Sequence, residues 1–341
     1  VVYTGWIGKA TEHCFVLVLP TGNSDPAVAD EMCWAVPGLG NPGGFLHHDT
    51  VTLPCCCALG EEPVLPDTTD DLTFLRNIAS VVVRDTATNS GGRVTIDTQR
   101  IYLAGHSNGC IASLAMAAHH SDMVAGVCCH AGTAVGDLPP DYAPTPILTV
   151  HGALDRLVPY DKEVELLPWR AMLSAVQTHA IFAAANGCRN RTETEYGRTN
   201  RTYRLLQSTD CTDGADVVLL TLPTAGHGPY LGMTYGLGED EEAPLIDTTQ
   251  MAWDFCSAHS LRSAPSLPQN VTVVPDNVTA MPDNVTAVPD TVTAMPDTVT
   301  AVPDNVTAVP DTVTAVPDSG LSRKSAWICL LSFGVGAFFL L

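Results

Sequence analysis

Residues 101–112, IYLAGHSNGCIA, constrain the chain more than any other stretch. Ile101, Tyr102 and Leu103 form a short β-branched and aromatic run that reads as a strand, and Ile111, Leu114, Ala115 and Ala118 then recur at helical spacing. Between the two, Gly105 and Gly109 bracket Ser107. A strand that becomes a helix within so few residues has no room for a side chain on either flank of the turn, and glycine meets that demand. Such a turn, a nucleophile elbow, lifts the Ser107 hydroxyl clear of the sheet edge. It also sets the Asn108 backbone N–H at a helix N-terminus, where partial positive charge can meet an oxyanion. The pattern G-x-S-x-G alone also describes ordinary glycine-rich loops, so its meaning depends on what surrounds it.

Around the elbow the chain alternates strand and helix. Residues 14–19, CFVLVL, closed by Pro20 and Gly22, suit a strand buried on both faces of a parallel sheet. Residues 23–66, rich in Gly, Pro and Cys and containing Trp34, read as a long surface excursion. Asp70 and Asp71 open a helix with Leu72, Leu75, Ile78, Ala79 and Val82 on one side, and their charge complements its positive end. Residues 124–129, 146–150 and 217–222 read as further strands. Strands alternating with helices predict an α/β fold with a mainly parallel sheet and helices on both faces.

Two more polar residues fall at strand ends. Asp155 follows the strand at 146–150 directly, on the rim of the sheet where such folds assemble their sites. Its competitor Asp161 lies past Pro159, in what is expected to be the next helix. His227 is delivered by the loop after residues 217–222, between Gly226 and Gly228. Ser107, Asp155 and His227 thus occur in the chain order that the α/β-hydrolase architecture uses. In that arrangement His227 takes the Ser107 proton as the hydroxyl attacks a carbonyl, and Asp155 holds the imidazole in the useful tautomer. His106, preceding the serine, is expected to point elsewhere. His151, His119, His120 and His259 read as structural or solvated.

Residues 6–258 resemble the secreted esterase family that includes polyhydroxybutyrate depolymerases and feruloyl and acetylxylan esterases. The resemblance rests on FVLVLPTG at 15–22, Trp34, DDLTFLRNI at 70–78 and IDTQRIYLAGHSNG at 96–109. Downstream it rests on VHGALDRLVPY at 150–160, NGC at 186–188, AGHG at 225–228 and IDTTQMAWDF at 246–255. It implies an α/β-hydrolase fold, esterase chemistry on Ser107, Asp155 and His227, the Asn108 N–H as one oxyanion donor, and pairing of Cys188 with Cys211. No cofactor or metal is implied. Two features depart from the family. Gly228-Pro229-Tyr230 stands where members commonly have Trp-Pro, and the His-Gly segment carrying the other oxyanion donor would precede Trp6. By that comparison the domain at 1–262 is expected to lack its N-terminal strands.

The net charge of −21 argues against nucleic acid as a partner, and only part of it comes from the seven Asp after residue 275. The twelve cysteines follow no zinc-ligand spacing, and with the glycosylation sequons they point to an oxidising compartment. From residue 275 a seven-residue unit repeats, PD(N/T)VTA(V/M), with a proline in each unit and no aromatic or glycine. Residues 263–318 therefore read as a disordered, extended stalk. Sequons occur at Asn190, Asn200, Asn270, Asn277, Asn284 and Asn305. Residues 319–341 pass from small residues through Arg323 and Lys324 to an apolar end, the pattern of a GPI-attachment signal or a C-terminal membrane anchor. Taken together, the reading is an extracellular or surface-anchored serine esterase. Its substrates would be carboxylic esters of extracellular polymers or cell-wall phenolics, such as feruloyl, acetyl or hydroxybutyrate esters. A prolyl-oligopeptidase-like serine peptidase and a catalytically impaired surface-binding module are the alternatives.

Overall fold

The strand ahead of Ser107 sets the frame. In the computed structural model β4 spans Tyr102–Gly105 and is buried throughout. Its side chains alternate between two cores, Leu103 on one face and Tyr102 and Ala104 on the other. The same alternation runs through β5 (Gly126–His130), β6 (Ile147–Gly152) and β11 (Val217–Leu222). Val127, Cys129, Ile147 and Val217 face the first core; Cys128, Leu148, Val150, Val218 and Leu220 face the second. Strands buried on both sides need helices on both sides. The first face is covered by α2 (Asp71–Asn89), α3 (Asn108–His119) and α4 (Ala175–Ala185), through residues such as Leu75, Leu114 and Phe182. The second is covered by α1 (Trp6–His13) and α5 (Thr248–Ser257), through Trp6, Trp253 and Cys256.

The structure describes residues 5–24, 32–34, 36, 70–161, 164–167, 170–198, 201–228, 246–262, 327–331 and 337–340. The chain divides into two units, Val1–Val271 with Ser325–Leu341, and Thr272–Lys324. All described residues belong to the first. Among the described residues its main sheet has nine strands in the order β1, β12, β13, β4, β5, β6, β11, β10, β9, with β1 at Phe15–Val18, β12 at Trp327–Leu331 and β13 at Ala337–Leu340. From β4 through β5 and β6 to β11 all pairings are parallel. An antiparallel hairpin, β9 (Asn190–Arg198) and β10 (Arg201–Thr209), then extends the edge. β2 (Asn23–Ser24) pairs with β3 (Met32–Cys33), and β7 (Val164–Leu167) with β8 (Arg170–Met172), as separate two-stranded pieces. The result is a mostly parallel mixed sheet flanked by helices, an α/β fold.

Local chemistry starts the helices where the sequence marks them. The Asp70 carboxylate accepts from the Thr73 N–H at 2.9 Å and caps α2. Ser174 and Gln177 form a reciprocal capping box on α4, and Asp247 accepts from the Gln250 N–H at 2.9 Å to start α5. Among the described residues, three disulfides fasten these layers. Adjacent residues of β5 bond to opposite faces, Cys129 to Cys110 of α3 and Cys128 to Cys256 of α5, while Cys188 bonds to Cys211 at the foot of the hairpin.

Four expectations need correction. β1 is buried only at Phe15, with Val16, Leu17 and Val18 half-buried, because it lies near the edge of the sheet rather than at its centre. Trp34 is not part of a surface excursion: it is fully buried and packs into the first core with Val36. Asp161 is exposed in a bend, and the chain forms the β7–β8 pair before any helix begins, so it is not helical. His106 is the fourth: it faces the loop that carries His227 rather than pointing away from it. Residues 263–326 and 332–336, with Asn270, Asn277, Asn284 and Asn305, lie outside the described residues, as does Asn200. No helix among the described residues is long and apolar enough to cross a membrane.

Candidate active site

Ser107 sits between β4 and α3 with φ 56° and ψ −122°, a backbone conformation that is costly for a residue with a side chain. The surrounding main chain over-determines it. Ser107 N–H donates to the His130 carbonyl at 2.9 Å, tying the elbow to the end of β5. The Cys110 and Ile111 N–H groups return to the Ser107 carbonyl at 2.9 and 3.0 Å. A Cβ on Gly105 would fall 2.3 Å from the Gly109 carbonyl carbon, which is why the strand can approach the helix only with glycine there.

His227 lies 120 residues downstream, yet its Nε2 is 2.8 Å from Ser107 Oγ. Its Nδ1 is 2.7 Å from Asp155 Oδ2. A carboxylate only accepts, so Nδ1 carries the proton and Nε2 offers its lone pair to the Ser107 hydroxyl. The loops that hold Asp155 and His227 are laced to each other by main-chain bonds: Ala153 N–H donates to the Leu222 carbonyl at 2.9 Å and Leu154 N–H to the Ala225 carbonyl at 3.0 Å. The end of β6 passes so close to the histidine loop that a Cβ on Gly152 would fall 2.2 Å from two carbonyl oxygens, those of Ala225 and Gly226.

The Asp155 side chain is fully buried. Burial alone would raise its pKa, but hydrogen bonds from His151 and His227, the His227 charge and the Val158 N–H outweigh it and hold the carboxyl well below the usual range. Oδ1 accepts from the Leu157 and Val158 N–H groups, both at 2.8 Å. His151 Nε2 lies 3.4 Å from Oδ2 and donates to the Val158 carbonyl at 3.0 Å, so this residue braces the turn that carries the acid.

His106 does not point away from the site. Its Nε2–H donates to the main-chain carbonyl of His227 at 2.9 Å, and the two rings stand 5.0 Å apart. Burial, and then the neighbouring His227, lower its pKa to about 4, so the ring is neutral near pH 7 and presents one N–H to that carbonyl. Behind it, His130 is held neutral in the same way, its pKa lowered to about 3 by burial. Asn108 adds a second long-range tie. Its amide takes the Trp34 N–H on Oδ1 at 2.8 Å and gives Nδ2–H to the Trp34 carbonyl at 3.2 Å, securing that segment beside the elbow. The Asn108 backbone N–H, at the first position of α3, makes no hydrogen bond among the described residues and is free to receive an anion.

The structure therefore brings Ser107, His227 and Asp155 into one hydrogen-bonded line, with the Asn108 N–H beside the serine. It keeps Asp161 out of that line. Nothing local in the sequence reveals the role of His106, because its partner is 121 residues away.

No family model matches this chain. Across 180 residues it is 27% identical to a curated protein of Nocardia uniformis subsp. tsuyamanensis named "Putative esterase NocK". The match takes in 48% of this chain and 49% of that protein, so the chain spans about half the length of the relative it matches. The likeness supports a general esterase-type hydrolase activity and reaches no further.

Proposed function

We propose that the chain is a serine carboxylic ester hydrolase with an α/β-hydrolase fold that works through an acyl-enzyme. The observation that carries this reading is the pair of contacts on one imidazole, 2.8 Å to Ser107 Oγ and 2.7 Å to Asp155 Oδ2. As Ser107 Oγ bonds to the ester carbonyl carbon, its proton passes to His227 Nε2 and the carbonyl π electrons move onto oxygen. The Asn108 N–H donates to that oxyanion. The intermediate collapses by breaking the bond to the leaving alcohol, which takes the proton from Nε2. Water then repeats the sequence on the acyl-serine, with His227 again as base, and releases the acid and free Ser107. Asp155 stays ionised throughout, since its surroundings hold its pKa down, and stabilises the imidazolium that forms twice per turnover.

The substrates we propose are feruloyl, acetyl or hydroxybutyrate esters of extracellular polymers or cell-wall phenolics, on the strength of the sequence resemblance. Three disulfides among the described residues support action outside the reducing cytosol. The repeat stalk and apolar C-terminal stretch support attachment at a cell surface. A panel of the three ester classes, assayed with the wild-type chain and Ser107→Ala, tests the proposal. Hydrolysis of at least one class that is lost in the variant is the expected result. No hydrolysis of any would favour a binding module on the same fold.

A further inference from the structure

The Asn108 N–H belongs to the peptide plane between Ser107 and Asn108, and three sets of hydrogen bonds fix how that plane is turned. Its carbonyl is held by the Cys110 and Ile111 N–H groups at 2.9 and 3.0 Å, and its Ser107 end by the bond from Ser107 N–H to the His130 carbonyl at 2.9 Å. The Asn108 end is held by a segment 74 residues away: Oδ1 accepts from the Trp34 N–H at 2.8 Å, and Nδ2–H donates to the Trp34 carbonyl at 3.2 Å. One side chain thus exchanges two bonds with one backbone residue, as a facing strand residue would, at the point where β3 ends. The pair is dry, with Trp34 0% and Asn108 5% exposed. In such surroundings a hydrogen bond is strong and an unmade one is costly, so the geometry is closely held. The Trp34 indole takes no polar part: its Nε1 has no hydrogen-bond partner among the described residues, and the ring stacks on Phe74 of α2 with centroids 6.4 Å apart.

We propose that the Asn108 side chain, through its two bonds to the Trp34 backbone, is a positioning group that aims the Asn108 N–H at the oxyanion. The inference rests on the reading of Ser107 as the nucleophile. Ser107 holds φ 56° and ψ −122°, a conformation that persists only where its surroundings over-determine it. The same ψ sets the direction of the Asn108 N–H, because it turns the plane to which that N–H belongs. Freed at its Asn108 end, the plane relaxes by rotating, and the N–H swings off the point where negative charge develops. The contacts of His227 with Ser107 Oγ and Asp155 do not run through that plane, so the base stays in place. Activation of the nucleophile and stabilisation of the oxyanion are therefore held by separate parts of the structure. A ground-state ester carbonyl carries little charge, so loss of the Trp34 tie falls on the transition state and not on substrate binding.

The test uses the full chain, with p-nitrophenyl acetate as substrate, an alkyl trifluoromethyl ketone as inhibitor, and thermal unfolding recorded for every variant. With the ketone, Ser107 Oγ bonds to the carbonyl carbon, its proton passes to His227 Nε2, and the ketone oxygen becomes the oxyanion, so affinity reports the donor directly. Asn108→Leu replaces the amide by an apolar group of similar size. Asn108→Ala leaves room for water on the Trp34 peptide groups and serves where the leucine variant does not fold. Both are expected to lower kcat about 10- to 100-fold with KM within about twofold, and to weaken the ketone by the same factor as kcat. The acid limb of the pH profile, set by His227, should not move. Trp34→Phe keeps both backbone groups, and should unfold at a lower temperature yet hold kcat within about threefold. The inference is overturned if folded Asn108 variants keep the wild-type kcat, if they lose kcat without losing affinity for the ketone, or if Trp34→Phe loses as much kcat as they do. Hydrolysis that persists in Ser107→Ala overturns the reading of Ser107 itself, and this inference with it.

Discussion

Replacing Asp155 by asparagine changes one atom of the side chain and should reverse the proton arrangement of the whole site. The Leu157 and Val158 N–H groups, each 2.8 Å from Oδ1, require an acceptor there and so fix the new amide with its oxygen toward them. Its NH₂ then occupies the Oδ2 position, 2.7 Å from His227 Nδ1. Two donors cannot face each other, so His227 must present its lone pair at Nδ1 and move its proton to Nε2, which faces Ser107 Oγ. The base is then lost while every neighbour stays in place. In the well-studied serine protease case this change of tautomer costs about 10⁴ in kcat, which is about 5.5 kcal/mol of barrier. The measurement is kcat on a soluble aryl ester, with thermal unfolding recorded beside it to show that Asp155→Asn folds. Asp161→Asn, at an exposed bend, should stay within about twofold of wild type. If Asp155→Asn kept more than about a hundredth of the wild-type kcat, the proton arrangement derived for this site would be wrong.

Other expectations follow from the neighbouring groups. His106→Leu removes the N–H that holds the His227 carbonyl and should lower kcat about tenfold with KM unchanged, while His106→Gln, whose amide keeps a donor, should recover most of it; steady-state kinetics separate the two, and an unaffected kcat in the leucine variant would remove His106 from the positioning of the base. Gly152→Ala forces a Cβ against two carbonyl oxygens of the histidine loop and should cost about 3 kcal/mol or more, seen as a lower urea midpoint; an unchanged midpoint would mean the loops are not packed as described. The folded pKa values of His106, His130 and His179 lie at about 4, 3 and 4, below the ordinary 6.5, so the unfolded chain binds more protons between those limits. Stability is therefore full above about pH 6.5 and falls as pH drops toward the folded values, by up to about 1.4 kcal/mol per histidine per pH unit. Urea titrations at pH 7 and pH 5 should show a clear loss at pH 5, and equal midpoints would contradict the burial of these rings in neutral form.

The parts of the molecule that could be read in advance are those whose cause is local. Ile101 to Gly109 announces strand, turn and helix because the apolar period changes across two glycines. Asp155 and His227 could be placed beside Ser107 because each follows a buried apolar run that ends on the same rim of the sheet. Asp70 marks the start of α2 through its own cap. The hairpin β9–β10 escapes such reading because β9, as an exposed edge strand of Arg, Thr, Glu and Tyr, has no apolar face to alternate. α4 is short and largely Ala-rich, so its clearest signal is the Ser174–Gln177 capping pair rather than any stripe. Trp34 and Asn108 meet across 74 residues, and His106 and His227 across 121, distances over which composition and spacing say nothing.

The central claim is that Ser107 is a nucleophile activated by His227, and covalent labelling tests it most directly. Purified wild-type chain treated with a fluorophosphonate, then digested and mapped by mass spectrometry, should carry the phosphonyl group on Ser107 Oγ. Ser107→Ala should take up no label, and His227→Ala should label at least about a hundred times more slowly, since the hydroxyl then has no base. A wild-type chain that is folded by thermal unfolding yet leaves Ser107 unmodified, or that labels equally fast without His227, would contradict the account.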